Sequence, residues 1–360
     1  MKGLEKGVDG RKTYDQYILR KVLVLCFLLG LLVLVVLTSL SVGSSGLSFK
    51  EVFKAFLGFP EDPLASTILW QVRMPRVFTG LLVGMPLAFA GCVMQSVLRN
   101  PLASASTLGV SQGASFGAAV AIVYFQAGSQ VGNMATQGIT YTNPYTVVML
   151  AFLGGMVTTL CILLFSRTTG MSPTVMILAG VALSAMFSGA TTLIQYFSDD
   201  QMVASIVYWT FGNLGRAGPR EITLIFWVLL ISFGYFFYHR WNYNAMESGF
   251  HTAKSLGVPV DQLMMRSMLL ATLLSATAIA FVGTISFIGL IAPHILRRFV
   301  GSDYRFLIPG SALMGGVLML SSDILSRMVL TPAILPIGAI TSFLGGPLFL
   351  YLILKQRKKG

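Results

Sequence analysis

The sequence predicts an all-α, polytopic membrane protein with about ten transmembrane helices. Hydrophobic residues make up 55% of its 360 residues and charged residues only 11%, against about 25% in an ordinary soluble domain. The mean hydropathy is +0.77. These values exclude a soluble enzyme and a disordered chain, because neither carries so much apolar surface with so few charges. The apolar runs are continuous rather than alternating, which favours helices over the strands of a β-barrel.

The first predicted span covers residues 22–42. A basic tail, residues 1–21, precedes it and contains Lys2, Lys6, Arg11, Lys12, Arg20 and Lys21. A cleavable signal peptide would have a shorter apolar core and a small-residue cleavage site soon after the basic part. We therefore expect a retained helix whose N-terminal tail lies in the cytoplasm.

Further apolar runs continue the membrane domain to residue 355. A helix needs about 20 apolar residues to cross the bilayer core. The runs cover residues 77–98, 108–125, 145–165, 175–196, 222–238, 268–285, 287–296, 306–324 and 334–354. Residues 22–355 are thus predicted as one transmembrane domain, and residues 356–360 as a short cytoplasmic tail.

The stretch between Arg266 and Arg297 is too short for two complete crossings. About 30 residues at a rise of 1.5 Å reach only about 45 Å. Gly283, Gly289 and Pro293 interrupt this stretch. We therefore expect one full helix followed by a half-helix, whose ends must face protein or water instead of lipid.

The basic residues set the orientation of the spans. When the sides alternate from a cytoplasmic N-terminus, eighteen of the 25 Lys and Arg residues fall inside. This excess satisfies the positive-inside rule and places both chain ends in the cytoplasm. The net charge of +12 is then a consequence of membrane topology and does not indicate nucleic-acid binding.

The sequence contains no recognisable catalytic, metal or cofactor site. Its three cysteines are far apart in apolar runs, and it has no Gly-Lys dipeptide and hence no P-loop. No HExxH, GxSxG or paired-carboxylate pattern is present either. We therefore expect a protein that is not an enzyme, with neither metal nor cofactor, and that cannot energise transport through a P-loop of its own.

The predicted spans also lack an obvious proton relay. All thirteen acidic residues lie in loops or at span ends, with Asp323 the deepest of them. His294 is expected to be an interfacial histidine at a helix end rather than a relay group. An ion-coupled transporter usually keeps an ionisable residue inside the membrane. The chain is then either a passive channel or a protein driven by a partner.

Three glycines, Gly109, Gly113 and Gly117, are spaced by four residues in the third span. Small residues at this spacing let two membrane helices approach closely. We therefore expect these glycines to serve helix packing rather than substrate binding.

Three arginines are predicted on the outer side, against the positive-inside bias: Arg73, Arg76 and Arg327. One interpretation is headgroup anchoring, with an Asp323–Arg327 pair at i, i+4 that contributes a few tenths of a kcal/mol. The other is a cationic rim on which an acidic soluble partner docks.

The longest predicted cytoplasmic loop, residues 239–265, favours two short amphipathic helices broken near Gly257 and Pro259. Its apolar residues recur at helical spacing: Met246, Phe250, Ala253 and Leu256. Such a segment could insert into a groove of a cytoplasmic protein.

Ordered motifs from about residue 70 to 355 resemble the FecCD-type permeases, the membrane subunits of type II ABC importers for iron–siderophore, haem and cobalamin, including the cobalamin importer permease. The motifs are Arg73-Met74-Pro75-Arg76, Met94-Gln95, Arg99-Asn100-Pro101-Leu102-Ala103, Leu108-Gly109-Val110-Ser111-Gln112-Gly113-Ala114, Ala253-Lys254-Ser255-Leu256-Gly257-Val258, Gly289-Leu290-Ile291-Ala292-Pro293-His294-Ile295-Leu296-Arg297, Asp323-Ile324-Leu325-Ser326-Arg327 and Leu335-Pro336-Ile337-Gly338.

The resemblance implies a type II ABC importer permease fold, a homodimer with the pathway at its axis, two cytoplasmic ATP-binding subunits and an extracytoplasmic substrate-binding protein. Arg73, Arg76 and Arg327 would then meet acidic residues of the binding protein. The loop at about 243–260 would seat in the ATPase through Glu247, Ser248, Phe250, Ala253, Ser255, Leu256 and Gly257. Many relatives carry Gly-Glu-Glu before the Ala-x-x-Leu-Gly motif, whereas the run in this chain is Glu247-Ser248-Gly249-Phe250-His251.

The function expected from this resemblance is import of an iron–siderophore, haem or cobalamin-type metal chelate across the cell membrane. Alternating access, driven by the partner ATPases, would move the chelate into the cytoplasm. The alternatives are a gated channel and a secondary transporter for a small solute. A channel would need neither a coupling loop nor an outer arginine rim, and the lack of ionisable residues in the spans disfavours ion coupling.

Overall fold

A computed structural model describes residues 2–43, 49–56, 59, 63–127, 129–130, 140–330 and 333–357. Met1 and residues 358–360 of the predicted C-terminal tail lie outside this part of the chain. The helices are α1 Lys2–Ser41, α2 Phe49–Phe56, α3 Pro63–Thr67, α4 Met74–Val97, α5 Val110–Tyr124, α6 Pro144–Thr168, α7 Pro173–Tyr196, α8 Asp200–Thr210, α9 Pro219–Tyr238, α10 Arg240–Glu247, α11 Phe250–Ser255, α12 Val260–Val282, α13 Ile288–Val300, α14 Tyr304–Met328 and α15 Ile337–Arg357.

The ten predicted apolar runs each contain a helix, and the predicted all-α membrane fold is confirmed. Within the described residues, seven helical stretches are long and apolar enough to cross a membrane, one of them Pro63–Val97, which joins α3 and α4 through a π-helical turn at Ile68–Arg73. The other three runs form the shorter helices α5 and α13, and α15, which contains the shorter apolar stretch Ile337–Tyr351. Two short strands, β1 Ser129–Gln130 and β2 Thr140–Tyr141, pair antiparallel.

The predicted half-helix is confirmed as α13, whose 13 residues span only about 20 Å. It follows the full-length α12 after a sharp reversal. Gly283 has a positive φ of 95°, and a Cβ atom there would overlap the carbonyl oxygen of Trp209. Only glycine fits this position, because the turn needs both a left-handed backbone and close backbone contact.

Helix α4 occupies the centre of the bundle, and most of its residues are buried. It packs against α14, α12 and α13, and glycines bring its backbone close to those of α14 and α13. A Cβ atom on Gly91 would overlap Gly289 of α13, and one on Gly84 would lie 2.5 Å from the carbonyl oxygen of Gly315 in α14. Such close approach of backbones is how membrane helices gain packing contact when lipid is as apolar as the side chains.

Two helical features differ from the sequence expectation. Helix α1 runs back to Lys2, so that the predicted basic tail continues the first span as a helix. Helix α8 was not predicted, because its eleven residues are too few for a span. Asp199 accepts a hydrogen bond from the backbone N–H of Met202 at 2.8 Å, and this N-cap marks the start of α8.

Candidate functional site

One end of the bundle carries the predicted coupling loop as two short helices, α10 and α11. Gly249, with a φ of 120°, separates them, and Gly257, with a φ of 82°, ends the second. The two predicted short helices are present, but the break between them lies at Gly249, and Gly257 and Pro259 instead separate α11 from α12. Positive φ values favour glycine, so each turn is fixed by sequence.

The two faces of this loop have opposite environments. Tyr243, Met246 and Ala253 are fully buried against the bundle. The outward face exposes Glu247, Ser248, Ser255, Leu256 and Gly257, and Phe250 is half-buried. Leu256 is 69% exposed although it is apolar. Met246 and Ala253 therefore anchor the loop and do not present their side chains to a partner, whereas Leu256 does.

Hydrogen bonds fasten α10 to the bundle at several points. The hydroxyl groups of Tyr243 and Ser267 of α12 lie 2.7 Å apart. Asn244 accepts from the backbone N–H of Tyr304 at 2.8 Å, and the Tyr304 hydroxyl donates to Glu247 at 3.4 Å. Arg99, at the end of α4, donates to the Glu247 carbonyl oxygen at 3.4 Å. A displacement of α10 would thus be passed directly to α12, α14 and α4.

Asp303, at the N-cap of α14, links this loop to α1. Its carboxylate lies 3.2 Å from the Lys21 ammonium group and 2.7 Å from the Arg305 guanidinium group, and it accepts from the Asn244 amide at 3.3 Å. Burial alone would raise the pKa of Asp303, but hydrogen bonds from Arg305 and Lys21 lower it to about 2. The carboxylate therefore stays charged at neutral pH.

Sequence reasoning missed this group. In the sequence, Lys21 served only as one of the basic residues that set the orientation of the spans, and no role was predicted for Asn244 or Asp303. An aspartate directly before an apolar run is a typical N-cap signal, and it could have placed Asp303 at the start of α14. Nothing in the sequence pairs it with Lys21, which lies 282 residues away.

The opposite end of the bundle carries the three predicted arginines around Asp323. The Arg76 Nε atom lies 2.9 Å from one carboxylate oxygen of Asp323, and the Arg327 Nη2 atom lies 2.9 Å from the other. Asp323 is fully buried. The predicted Asp323–Arg327 pair is therefore present, but it is buried and shared with Arg76. The free-energy contribution expected for an exposed helical ion pair therefore does not apply to this pair. Breaking a buried ion pair costs about 3–5 kcal/mol.

Arg73 and Arg327 also cap the C-terminal end of α1. Arg73 donates to the carbonyl oxygens of Leu40 and Ser41, and Arg327 donates to those of Ser39 and Val42. The last carbonyl groups of a helix have no partner within the helix, and cations are favourable there. These guanidinium groups thus join α1 to α4 and α14.

The arginines do not form the exposed rim that the sequence suggested. Arg73 is 4% exposed and Arg327 8%, because their donors face inward to α1 and Asp323. The Arg76 side chain is 14% exposed and remains the most accessible of the three. Of the three, Arg76 and Arg327 contact Asp323, and the three arginines with this one carboxylate leave the group itself with a net positive charge.

The predicted packing glycines lie at the contact of α5 with α6 and α7. A Cβ atom on Gly113 would lie 2.5 Å from the carbonyl oxygen of Gly154, and one on Gly117 would overlap that of Leu150. Gly109 differs from the other two. It precedes α5 as its N-cap with a φ of 84°, beside Gly180 of α7.

Replacing Gly117 with valine is expected to lower the stability of the bundle by about 2–4 kcal/mol, because the new side chain must push α6 away from α5. Thermal unfolding of the purified protein in detergent measures this loss. Gly189→Ala in α7 is the matched control, since nothing lies within 4 Å of a Cβ atom there. Equal unfolding temperatures for the two variants would contradict the packing role.

His294 is buried, contrary to the expectation of an interfacial histidine at a helix end. Its ring meets that of Phe349 of α15 edge-on, with centroids 6.1 Å apart. The half-helix α13 and α15 run side by side, which encloses the imidazole. Among the described residues, no three His, Cys, Asp or Glu side chains meet in an arrangement that could hold a metal ion.

The sequence of this chain is similar to those of known transport proteins. A model of the FecCD transport family matches residues 31–355. The chain is 47% identical to a protein of Methanocaldococcus jannaschii named as an ABC transporter permease, over 98% of this chain and all of the relative. It is 35% identical to the hemin transport system permease protein of Yersinia pestis, over 94% of this chain and 97% of the relative.

A solved structure also matches the fold. It is described as an inward-facing conformation of a metal-chelate type ABC transporter. The TM-score is 0.79 at 31% sequence identity, and the match covers 92% of this chain and 98% of the other. The agreement extends over nearly the whole of both chains.

Proposed function

Since this chain belongs to the FecCD transport family and is an ABC transporter permease, we propose that it imports a metal chelate into the cytoplasm by alternating access. The substrate class is an iron–siderophore, haem or cobalamin-type chelate. Transport of hemin by the relative from Yersinia pestis and of metal chelates by the structural neighbour supports this class. The working unit is a homodimer with two ATP-binding subunits and a substrate-binding protein.

The exposed face of α10 and α11 carries this proposal. An apolar side chain that is 69% exposed, Leu256, stands on a loop that is otherwise firmly anchored to the bundle. A groove of an ATP-binding subunit would cover it, helix against groove. Glu247, Ser248, Phe250, Ser255 and Gly257 surround Leu256 as further contacts, and Ala253 fixes the loop from below.

The hydrogen bonds beneath the loop supply a path for the movement. When ATP binding closes the two ATPases, α10 is displaced with them. Asn244 and Glu247 pass this displacement to α14, and Asp303 passes it to Lys21 of α1. The chain needs no nucleotide site of its own for this step, in keeping with the absence of a P-loop from the sequence.

The arginine-rich end is proposed to receive the substrate-binding protein. The net positive charge of the group formed by Arg73, Arg76, Arg327 and Asp323 would attract acidic side chains and speed their encounter. Arg76 is the best placed of the three arginines to make a direct contact, and Arg73 and Arg327 act by fixing the surface. The chain would lie in the cell membrane as a multi-pass protein, with both ends in the cytoplasm.

Arg76→Gln is expected to lower capture of the cognate substrate-binding protein by about fivefold at low salt and to weaken its salt dependence. Pull-down of the monodisperse fraction from detergent at two salt concentrations measures both effects, because removal of one partner of the buried Asp323 also destabilises the fold. Lys50→Gln is the control, because this exposed lysine lies near the same end, outside the arginine group. Unchanged capture and salt dependence in Arg76→Gln would remove Arg76 from the docking surface.

The rival functions fit the structure less well. An ion-coupled secondary transporter needs an ionisable group within the membrane that binds and releases the coupling ion. The deepest acidic residue, Asp323, is instead paired with the guanidinium groups of Arg76 and Arg327. A channel gives no reason for an exposed leucine on an anchored loop. Co-purification with the cognate ATP-binding subunit tests the proposal directly. A stable complex with equal numbers of the two subunits is expected, and a permease that purifies alone would contradict it.

A further inference from the structure

A groove runs between the middle of α1 and the helices α13 and α14. Its volume is about 660 Å³. Its wall is almost entirely apolar, and the polar residues Gln16 and Arg20 lie at one end. The residues that line it are Gln16, Leu19, Arg20, Leu23, Val24, Phe27, Leu28, Leu31, Ile295, Leu296, Phe299 and Met314.

The length of the groove matches one leaflet of a bilayer. The segment from Arg20 to Leu31 spans about 16 Å of helix, and half of a hydrocarbon core is about 15 Å. Arg20 is next to Lys21, which contacts Asp303 beside α10. In the proposed orientation, the polar end of the groove therefore lies at the cytoplasmic surface and the apolar part reaches the middle of the membrane.

Positive charge surrounds the polar end. The exposed Arg20 lines the groove, and Arg298 is exposed on the same turn of α13 as Phe299. Lys21 and Arg305 pair with Asp303. Basic pockets between transmembrane helices on the cytoplasmic side are typical sites for anionic lipid headgroups.

We propose that this groove binds an anionic membrane lipid. Its phosphate group pairs with Arg20, and one hydrocarbon chain lies along Leu23, Phe27 and Phe299. A zwitterionic headgroup also carries a phosphate, but Arg20 and Arg298 repel its ammonium group, so that the site prefers an anionic lipid over a zwitterionic one. The bound chain fills the space between α1 and the half-helix α13 and supports their relative position.

Native mass spectrometry of the protein tests this site. The protein is taken from vesicles of equal parts phosphatidylglycerol and phosphatidylcholine, and the retained lipids are counted. Preferential retention of phosphatidylglycerol is expected, and Arg20→Gln should lower it about fivefold, the effect of one arginine near an anionic surface. Arg167→Gln, which removes an exposed arginine at the predicted cytoplasmic end of α6, should leave retention unchanged.

Two results would overturn the proposal. One is equal retention of the two lipids, or equal loss in Arg20→Gln and Arg167→Gln. The other is efficient disulfide cross-linking in vesicles between two copies of Leu23→Cys, made in a chain whose native cysteines are replaced by serine because Cys26 is exposed. This result would show that a second copy of the chain covers the groove. Neither result would affect the proposed transport function, because that function is tested by association with the ATPase.

Discussion

Asp323→Ala is expected to prevent the protein from folding stably. The substitution leaves the guanidinium groups of Arg76 and Arg327 next to each other without the carboxylate that both contact at 2.9 Å. Removal of one partner from a buried ion pair costs about 3–5 kcal/mol, which is a large part of the stability of an ordinary domain. The yield of monodisperse protein in detergent and its unfolding temperature measure the effect.

A matched control for this substitution is Asp261→Ala. Asp261 pairs with Lys254 at 3.1 Å, but both side chains are more than half exposed, so that the pair contributes at most about 1 kcal/mol. Asp323→Asn keeps the shape and removes only the charge, and it should fall between the two alanine variants. Equal yields and unfolding temperatures for Asp323→Ala and Asp261→Ala would show that the buried ion group does not hold α1, α4 and α14 together.

Leu256→Asp is expected to abolish association with the ATP-binding subunit while leaving the permease folded. Leu256 is exposed, so the new charge meets water in the isolated protein, but it would enter an apolar groove in the complex. Central contacts of this kind are worth about 2–4 kcal/mol, or a loss of affinity of roughly 30-fold or more. Co-purification and ATP-dependent uptake should fail together.

Leu64→Asp provides the control for Leu256→Asp. Leu64 is 60% exposed, similar to Leu256, but it lies at the start of α3, at the opposite end of the bundle. The two variants should unfold at similar temperatures, and only Leu256→Asp should lose the ATPase. Normal complex formation by Leu256→Asp would remove the coupling role of this loop.

The spans and the half-helix could be predicted because they follow from local properties. Continuous apolar runs give the helices, and the distance between Arg266 and Arg297 gives the short α13. The amphipathic loop could be predicted as two helices for the same reason. The sequence could not predict which side of those helices faces the bundle, because an apolar face can pack on its own protein or on a partner. In the structure, Met246 and Ala253 pack on the bundle, and Leu256 stays exposed and available to a partner.

The environment of the arginines depends on contacts between distant parts of the chain. Arg73 and Arg327 are buried only because the end of α1 lies between α4 and α14, where its carbonyl groups need donors. A single sequence does not reveal that arrangement. The same holds for Lys21 and Asp303, whose contact joins α1 to the coupling loop.

Uptake into proteoliposomes tests most directly whether a separate ATPase drives this permease. The purified permease is reconstituted with and without its ATP-binding subunits, with the substrate-binding protein and a radiolabelled metal chelate on the opposite side, and ATP is supplied to the ATPase. We predict uptake only when both ATPase and ATP are present. Uptake at the same rate without the ATPase would contradict this account and identify the chain as a channel or a secondary transporter.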